Sequence, residues 1–142
     1  MRQALYVYCV VWSPNKPVEF ETVGISRKSV YPLYYEDLAL IVHECSPIPY
    51  SSKDPKKVSE WVKKHGQIID QVWDRWSNVL PFSFNTIIQE TPKQSAFDNA
   101  SSWLKEKHAA IVQKMSELSG QAEFGVQIYW NRQTAADRLL KN

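Results

Sequence analysis

Four glycines in 142 residues are too few for a phosphate-binding loop or a dinucleotide fingerprint, which need several at fixed spacing. Two cysteines, Cys9 and Cys45, exclude a disulfide-built scaffold. Each lies in a strand-like run, which predicts two buried free thiols in a reducing cytoplasm, and no sequence feature supports a disulfide between them. No apolar run reaches the roughly 18 residues a membrane span needs. The excess of basic over acidic residues is 17 against 15, too small to argue for nucleic acid. No secretory signal pattern is visible, because Met1 to Tyr6 leads straight into a strand. No nucleophile sits in a recognisable elbow. The carboxylate pairs Glu19/Glu21 and Glu36/Asp37 fall at loops or edges, where solvated charge is the default. The sequence therefore predicts no enzyme, no cofactor and no metal.

What is present is globular. The chain is 44% hydrophobic and 23% charged, and its length suits one domain with a real core. Six Trp, seven Tyr and five Phe form a heavy aromatic load. Ala4 to Trp12 is apolar at both parities, the pattern of a central strand covered on both faces. Ser13-Pro14-Asn15-Lys16-Pro17 breaks it. A short strand is expected around Val18 to Ile25, bent at Gly24. Ser29 to Tyr35 reads as an edge strand or loop because of Pro32, and Asp37 to Cys45 as a strand.

Asp54-Pro55 opens a helix, with Asp54 as N-cap and proline at the first helical position. Apolar residues at helical spacing carry it to Trp76. Val79 to Gln89 alternates, which puts Leu80, Phe82, Phe84, Thr86 and Ile88 on one face. A second helix is expected from Lys93 to Leu118, with Gly120 at its C′ position, and a last strand from Ala122 to Trp130. This order predicts an α+β fold: a ferredoxin-like sandwich of modified βαββαβ type, with an antiparallel sheet and two long helices on one face. The domain is expected over 1–132, with 133–142 a terminal helix or the start of a linker.

His43, His65 and His108 stand apart in the sequence, and the two on helical stripes read as core or boundary imidazoles with a satisfied nitrogen. His43 and Cys45 share a strand face without a third ligand, too little for a metal site. Lys53, Lys56, Lys57, Lys63 and Lys64 cluster near the first helix start. They read as a solvated face or, more sharply, as a surface for an acidic partner.

If both helices cover one face, the aromatics of the other face are left open. That makes Tyr6, Tyr8, Val10 and Tyr129 candidate partner-binding residues. Trp73, Trp76 and Trp103 offer a second candidate surface. Rival readings are a ferredoxin-like dimerisation or small-ligand module, and an RNA-recognition fold that lacks its basic RNP1 pattern.

Two stretches carry a resemblance: Val79-Leu80-Pro81-Phe82-Ser83-Phe84-Asn85-Thr86 and Gly120-Gln121-Ala122-Glu123-Phe124-Gly125-Val126. Together with the opening strand, Gly24-Ile25, Asp37 to Val42 and the His65-bearing helix, they resemble the gas vesicle protein F/L (GvpF/GvpL) family. The matching motif positions are Leu80, Pro81, Phe84, Thr86, Gly120, Glu123 and Gly125, mostly structural in kind. Glu123 is expected to pair with a basic group or cap a loop. The chain departs from the family pattern at Ser83 and Asn85, where arginine and glycine are common. Family members are typically longer, so the chain resembles the N-terminal domain. The resemblance implies a non-catalytic accessory or minor structural protein of gas vesicle assembly. Its implied partners are the hydrophobic gas vesicle shell protein or other accessory proteins, and a homodimer is left open. The implied location is the cytoplasm and the gas vesicle.

Overall fold

The computed structural model describes residues 4–119. Within them the chain builds β1 (Ala4–Trp12), β2 (Thr22–Val23), a 3-10 turn (Ile25–Arg27), β3 (Ser29–Tyr35), β4 (Leu38–Cys45), α1 (Pro55–Arg75), β5 (Val79–Pro81), β6 (Ile87–Gln89) and α2 (Ala96–Ser119). The strand order is β2-β3-β4-β1-β5, and β6 also pairs with β1. All pairings are antiparallel. Both β4 and β5 run antiparallel to β1, so they run parallel to each other with β1 between them. That makes α1 the crossover of a split β-α-β unit.

The helix boundaries follow local chemistry. Asp54 accepts a hydrogen bond from the Lys56 N–H and Pro55 occupies the first turn. Ser95 caps α2 by accepting from the Asp98 N–H at 3.0 Å, a cap two residues after the expected start at Lys93.

The single-faced sandwich is not what forms. α1 and α2 lie on opposite faces of the sheet. Leu5, Val7 and Val10 of β1 and Leu38, Leu40 and Val42 of β4 pack with Ala100, Leu104, Ile111 and Met115 of α2. The alternate residues Tyr6, Tyr8, Cys9, Val11, Ala39 and Ile41 pack with Ile68, Ile69 and Val72 of α1. The apolar alternation at both parities of β1 demands cover on both faces, and each helix supplies one. The loop before β2, with Val18 and Phe20, and the 3-10 turn after it, with Ile25, finish the α1 side. Cys9 is buried and Cys45 half-buried, both as free thiols.

β5 and β6 are two halves of one interrupted edge strand. β5 pairs with Cys9 to Val11, and β6 pairs with Ala4 to Tyr6. Between them the backbone detours at residues 82–86, with Asn85 at φ 69°. The Phe82 N–H donates to the Tyr8 carbonyl, and the Val7 N–H donates to the Thr86 carbonyl, both at 2.9 Å. The detour shifts the side-chain parity: Phe82 joins the α2 face and Phe84 the α1 face. The expected single face of Leu80, Phe82, Phe84, Thr86 and Ile88 is thereby divided.

Candidate functional site

The candidate partner-binding residues of the sheet are not open. Tyr6, Tyr8 and Val10 are all fully buried. The physical reason is the placement of the helices: α1 covers the face of Tyr6 and Tyr8, and α2 covers the face of Val10. Tyr129 lies outside the described residues, as do Gly120, Glu123, Gly125, the expected last strand and the expected segment 133–142. Of the Trp candidates, Trp76 is buried, while Trp73 and Trp103 are half-buried.

Tyr6 and Tyr8 instead anchor a buried network with His43 and His65. Tyr6 Oη lies 2.8 Å from His65 Nδ1, and His65 Nε2 lies 2.8 Å from the Phe82 carbonyl oxygen. A carbonyl only accepts, so Nε2 carries the proton and Nδ1 accepts from the Tyr6 hydroxyl. The Tyr6 oxygen in turn accepts from the Asn85 N–H at 3.1 Å. Tyr8 repeats the pattern: its oxygen accepts from the Ile25 N–H at 3.1 Å, and its hydroxyl lies 2.8 Å from His43 Nδ1. His43 Nε2 lies 3.0 Å from Tyr50 Oη. Each imidazole therefore bonds through both nitrogens as a neutral ring.

The rings interleave. Tyr6 stacks on His43 with centroids 4.8 Å apart and planes within 1°, and Tyr8 stacks on His65 at 5.3 Å. Such geometry adds to simple area burial. Burial pushes the Tyr6 and Tyr8 hydroxyls above their ordinary values. It pushes His43 down to about 4, helped by the Lys28 cation and by His65. Burial also lowers His65, against the bond to the Phe82 carbonyl. These imidazoles stay uncharged at neutral pH, with no lone pair left free for a metal or a proton transfer. Among the described residues no group of three or more His, Cys, Asp or Glu could hold a metal ion.

The network explains two sequence features. A Cβ on Gly24 would stand 2.4 Å from Tyr8 Oη and 2.6 Å from Val30, so only glycine fits there. Asn85 stands in a left-handed backbone conformation, which glycine adopts freely and asparagine tolerates best among other residues. Its side chain uses the position: Oδ1 accepts from the Tyr50 N–H at 2.8 Å and Nδ2 donates to the Tyr50 carbonyl at 2.9 Å. Of the other motif residues, Leu80 and Pro81 are buried in β5, Phe84 packs beside Tyr6 and His65, and Thr86 donates to the Ser83 carbonyl. Sequence reasoning read His65 as a core or boundary imidazole with a satisfied nitrogen but missed its partners; it is buried. Tyr50 and Asn85, far apart in the chain, carried no visible signal as a pair.

His108 lies on α2 at the other face. Its Nε2 donates to Asp37 Oδ1 at 2.6 Å, and Trp12 Nε1 donates to Asp37 Oδ2 at 2.9 Å. Burial would raise the Asp37 carboxyl, but these two donors outweigh it and hold it below its ordinary value. The cluster clips α2 to the β3–β4 turn.

What remains apolar and exposed lies elsewhere. Among the described residues the exposed large apolar side chains are Val23, Tyr34, Ile48, Val62 and Phe97. Val23, 52% exposed, lies in β2, and Tyr34, 54% exposed, lies in β3 past the end of β2 with its hydroxyl donating to the Val18 carbonyl. Beside Val23 runs a groove of about 480 Å³ lined by Glu21, Thr22, Val23, Ser29, Val30 and Tyr31. β2 covers only Ser29 and Val30 of β3. No helix among the described residues is long and apolar enough to cross a membrane.

The likeness to known proteins agrees with this geometry. The family model described as gas vesicle synthesis protein GvpL/GvpF matches residues 4–142. Gas vesicle protein L of Haloferax mediterranei is 27% identical over 117 residues, covering 82% of this chain and 34% of that protein. Gas vesicle protein L2 of Halobacterium salinarum is 29% identical over 145 residues, covering 96% of this chain and 50% of that protein. The chain thus spans a third to a half of the length of these curated relatives. The crystal structure of GvpF from Anabaena superposes with a TM-score of 0.62 at 16% identity, over 83% of this chain and 44% of that one. GvpF from Microcystis aeruginosa gives 0.60 at 13% identity, over 82% and 44%. At such identities the superpositions speak for the fold, and the family match speaks for kinship: the chain belongs to the gas vesicle synthesis protein GvpL/GvpF family.

Proposed function

We propose that this protein is a non-catalytic accessory factor of gas vesicle formation that binds the hydrophobic shell protein in the cytoplasm. Membership of the GvpL/GvpF family is the observation that carries this reading. Two features support it. The buried histidines are committed to structural hydrogen bonds. The surface keeps apolar side chains at Val23, in the β2–β3 groove, and at Tyr34, further along β3, suited to an apolar partner. β3 runs on past the two-residue β2, but Pro32 there offers no N–H to a pairing strand, so the contact in this reading is one of side chains at the sheet edge rather than on a sheet face.

The test is capture of the shell protein by the full chain, with shell aggregation followed by light scattering. The wild type should bind and delay aggregation. Val23→Asp combined with Tyr34→Ser should weaken capture ~10-fold or more, because a few apolar anchors dominate such contacts. Capture unchanged in the double variant would move the contact off this edge. A wild type that neither binds nor delays aggregation would remove the shell protein as partner.

A further inference from the structure

We infer that the outer flank of α1 pairs with the same flank of a second copy of this chain, antiparallel and crossing at Gly66. This inference stands independently of the shell-protein reading. Gly66 sits next to the midpoint of the 21-residue α1, where glycine is a poor helix former. Among the described residues nothing requires it, for a Cβ there would meet no atom within 4 Å. The helix carries open space at its centre, and glycine lets another backbone approach closely.

Val62 borders that space one turn away, and Trp73, packed against the core under α1, continues the same line two turns on. At 3.6 residues per turn, Val62, Gly66 and Trp73 fall within about 40° of one another, on the rim between the buried face and solvent. Val62 is 46% exposed, although it lies one turn from the buried His65 and two turns from the buried Ile69. It is one of the few large apolar side chains the fold leaves open.

Charge identifies the occupant. Outside the apolar line the N-terminal half of α1 presents Lys56 and Lys63, with Glu60 about 40–60° further round the helix, and the C-terminal half presents Asp70 and Asp74. The two lysines and the two aspartates are exposed. None takes part in an ion pair among the described residues. Lys63 and Asp70 lie about 20° apart around the helix and nearly equidistant from Gly66. A two-fold axis through Gly66 therefore sets Lys63 of one copy against Asp70 of the other, twice, with Lys56 and Asp74 doing the same further out. A surface complementary to itself is what a two-fold dimer requires. A uniformly basic or acidic partner would meet a repulsive half.

The test measures the oligomeric state of the full chain by sedimentation over a concentration series. The wild type should show a reversible monomer–dimer equilibrium. Lys63→Asp and Asp70→Lys should each raise the dimer dissociation constant ~10-fold or more, because each spoils two symmetric pairs. The double swap, Lys63→Asp with Asp70→Lys, should restore dimerisation, which no general loss of folding would do. Gly66→Leu fills the open space without an internal clash, so it should keep the fold by circular dichroism and abolish the dimer. A wild type monomeric at every concentration overturns the inference. So does a dimer that survives the single reversals and Gly66→Leu, or a double swap that fails to restore it.

Discussion

The two faces of one sheet are closed by opposite chemistries. Under α2 the fully buried layer is aliphatic but for Phe82: Leu5, Val7, Val10, Leu40 and Val42 meet Leu104, Ile111 and Met115, and the aromatics and the His108–Asp37–Trp12 bonds sit at its partly buried rim. Under α1 the same strands contribute Tyr6, Tyr8 and His43, which hydrogen-bond across to His65, Tyr50 and the loop at residues 82–86. The buried part of that layer needs volume and shape. The aromatic layer needs each proton in one place, because an unpaired buried polar group is costly. One strand therefore shows two routes to a closed core. The first tolerates change of residue but not of size; the second tolerates neither.

That contrast can be broken from either side. Leu104→Ala removes a fully buried side chain of the aliphatic layer. It should cost about 2–5 kcal/mol in urea unfolding, equally at neutral and acid pH. Acid should act on the other layer. His43 is neutral in the fold because burial lowers its pKa to about 4, and the unfolded chain takes up the proton near 6.5. Stability is then complete above about pH 6.5 and is lost as pH falls toward 4, by about 3 kcal/mol for this residue. His65 adds loss in the same direction. The wild-type unfolding midpoint should drop between about pH 7.5 and about pH 4.5, and a midpoint that stays put would mean the imidazoles take up protons as readily in the fold as in the unfolded chain. Tyr6→Phe is the mildest probe. It keeps the ring and strips the partner from His65 Nδ1 and the Asn85 N–H, for about 1–2 kcal/mol. A loss below measurement would show that water replaces the hydroxyl.

Much of the architecture was legible. The span of β1, the start of α1 at Asp54-Pro55 and the break after Trp12 follow from local signals that tertiary contacts reinforce. The same residues of β1 supported two incompatible readings. Their apolar alternation at both parities implied cover on both faces, whereas helices on one face implied an exposed aromatic layer. The first holds, because Tyr6 and Tyr8 are fully buried. Periodicity reports that a face is covered but not which helix covers it, so the side taken by α2 was not readable. The break between β5 and β6 escaped notice for another reason. It depends on one positive φ at Asn85, a residue that fits a plain alternation just as well. The hydrogen bonds between Asn85 and Tyr50 join positions 35 apart in sequence, beyond any local pattern.

The central position of β1 also bears on the protein's synthesis. The strand with the most apolar surface on both sides is made before all its neighbours. Its partner β4 follows about thirty residues later, β5 and β6 only after α1, and α2 last among the described elements. A chain leaving the ribosome therefore carries Leu5 to Val11 uncovered while most of its sheet has yet to be translated. Segments of this kind are prone to associate with one another during that interval. The window closes only when α2 has been made and has settled on the sheet.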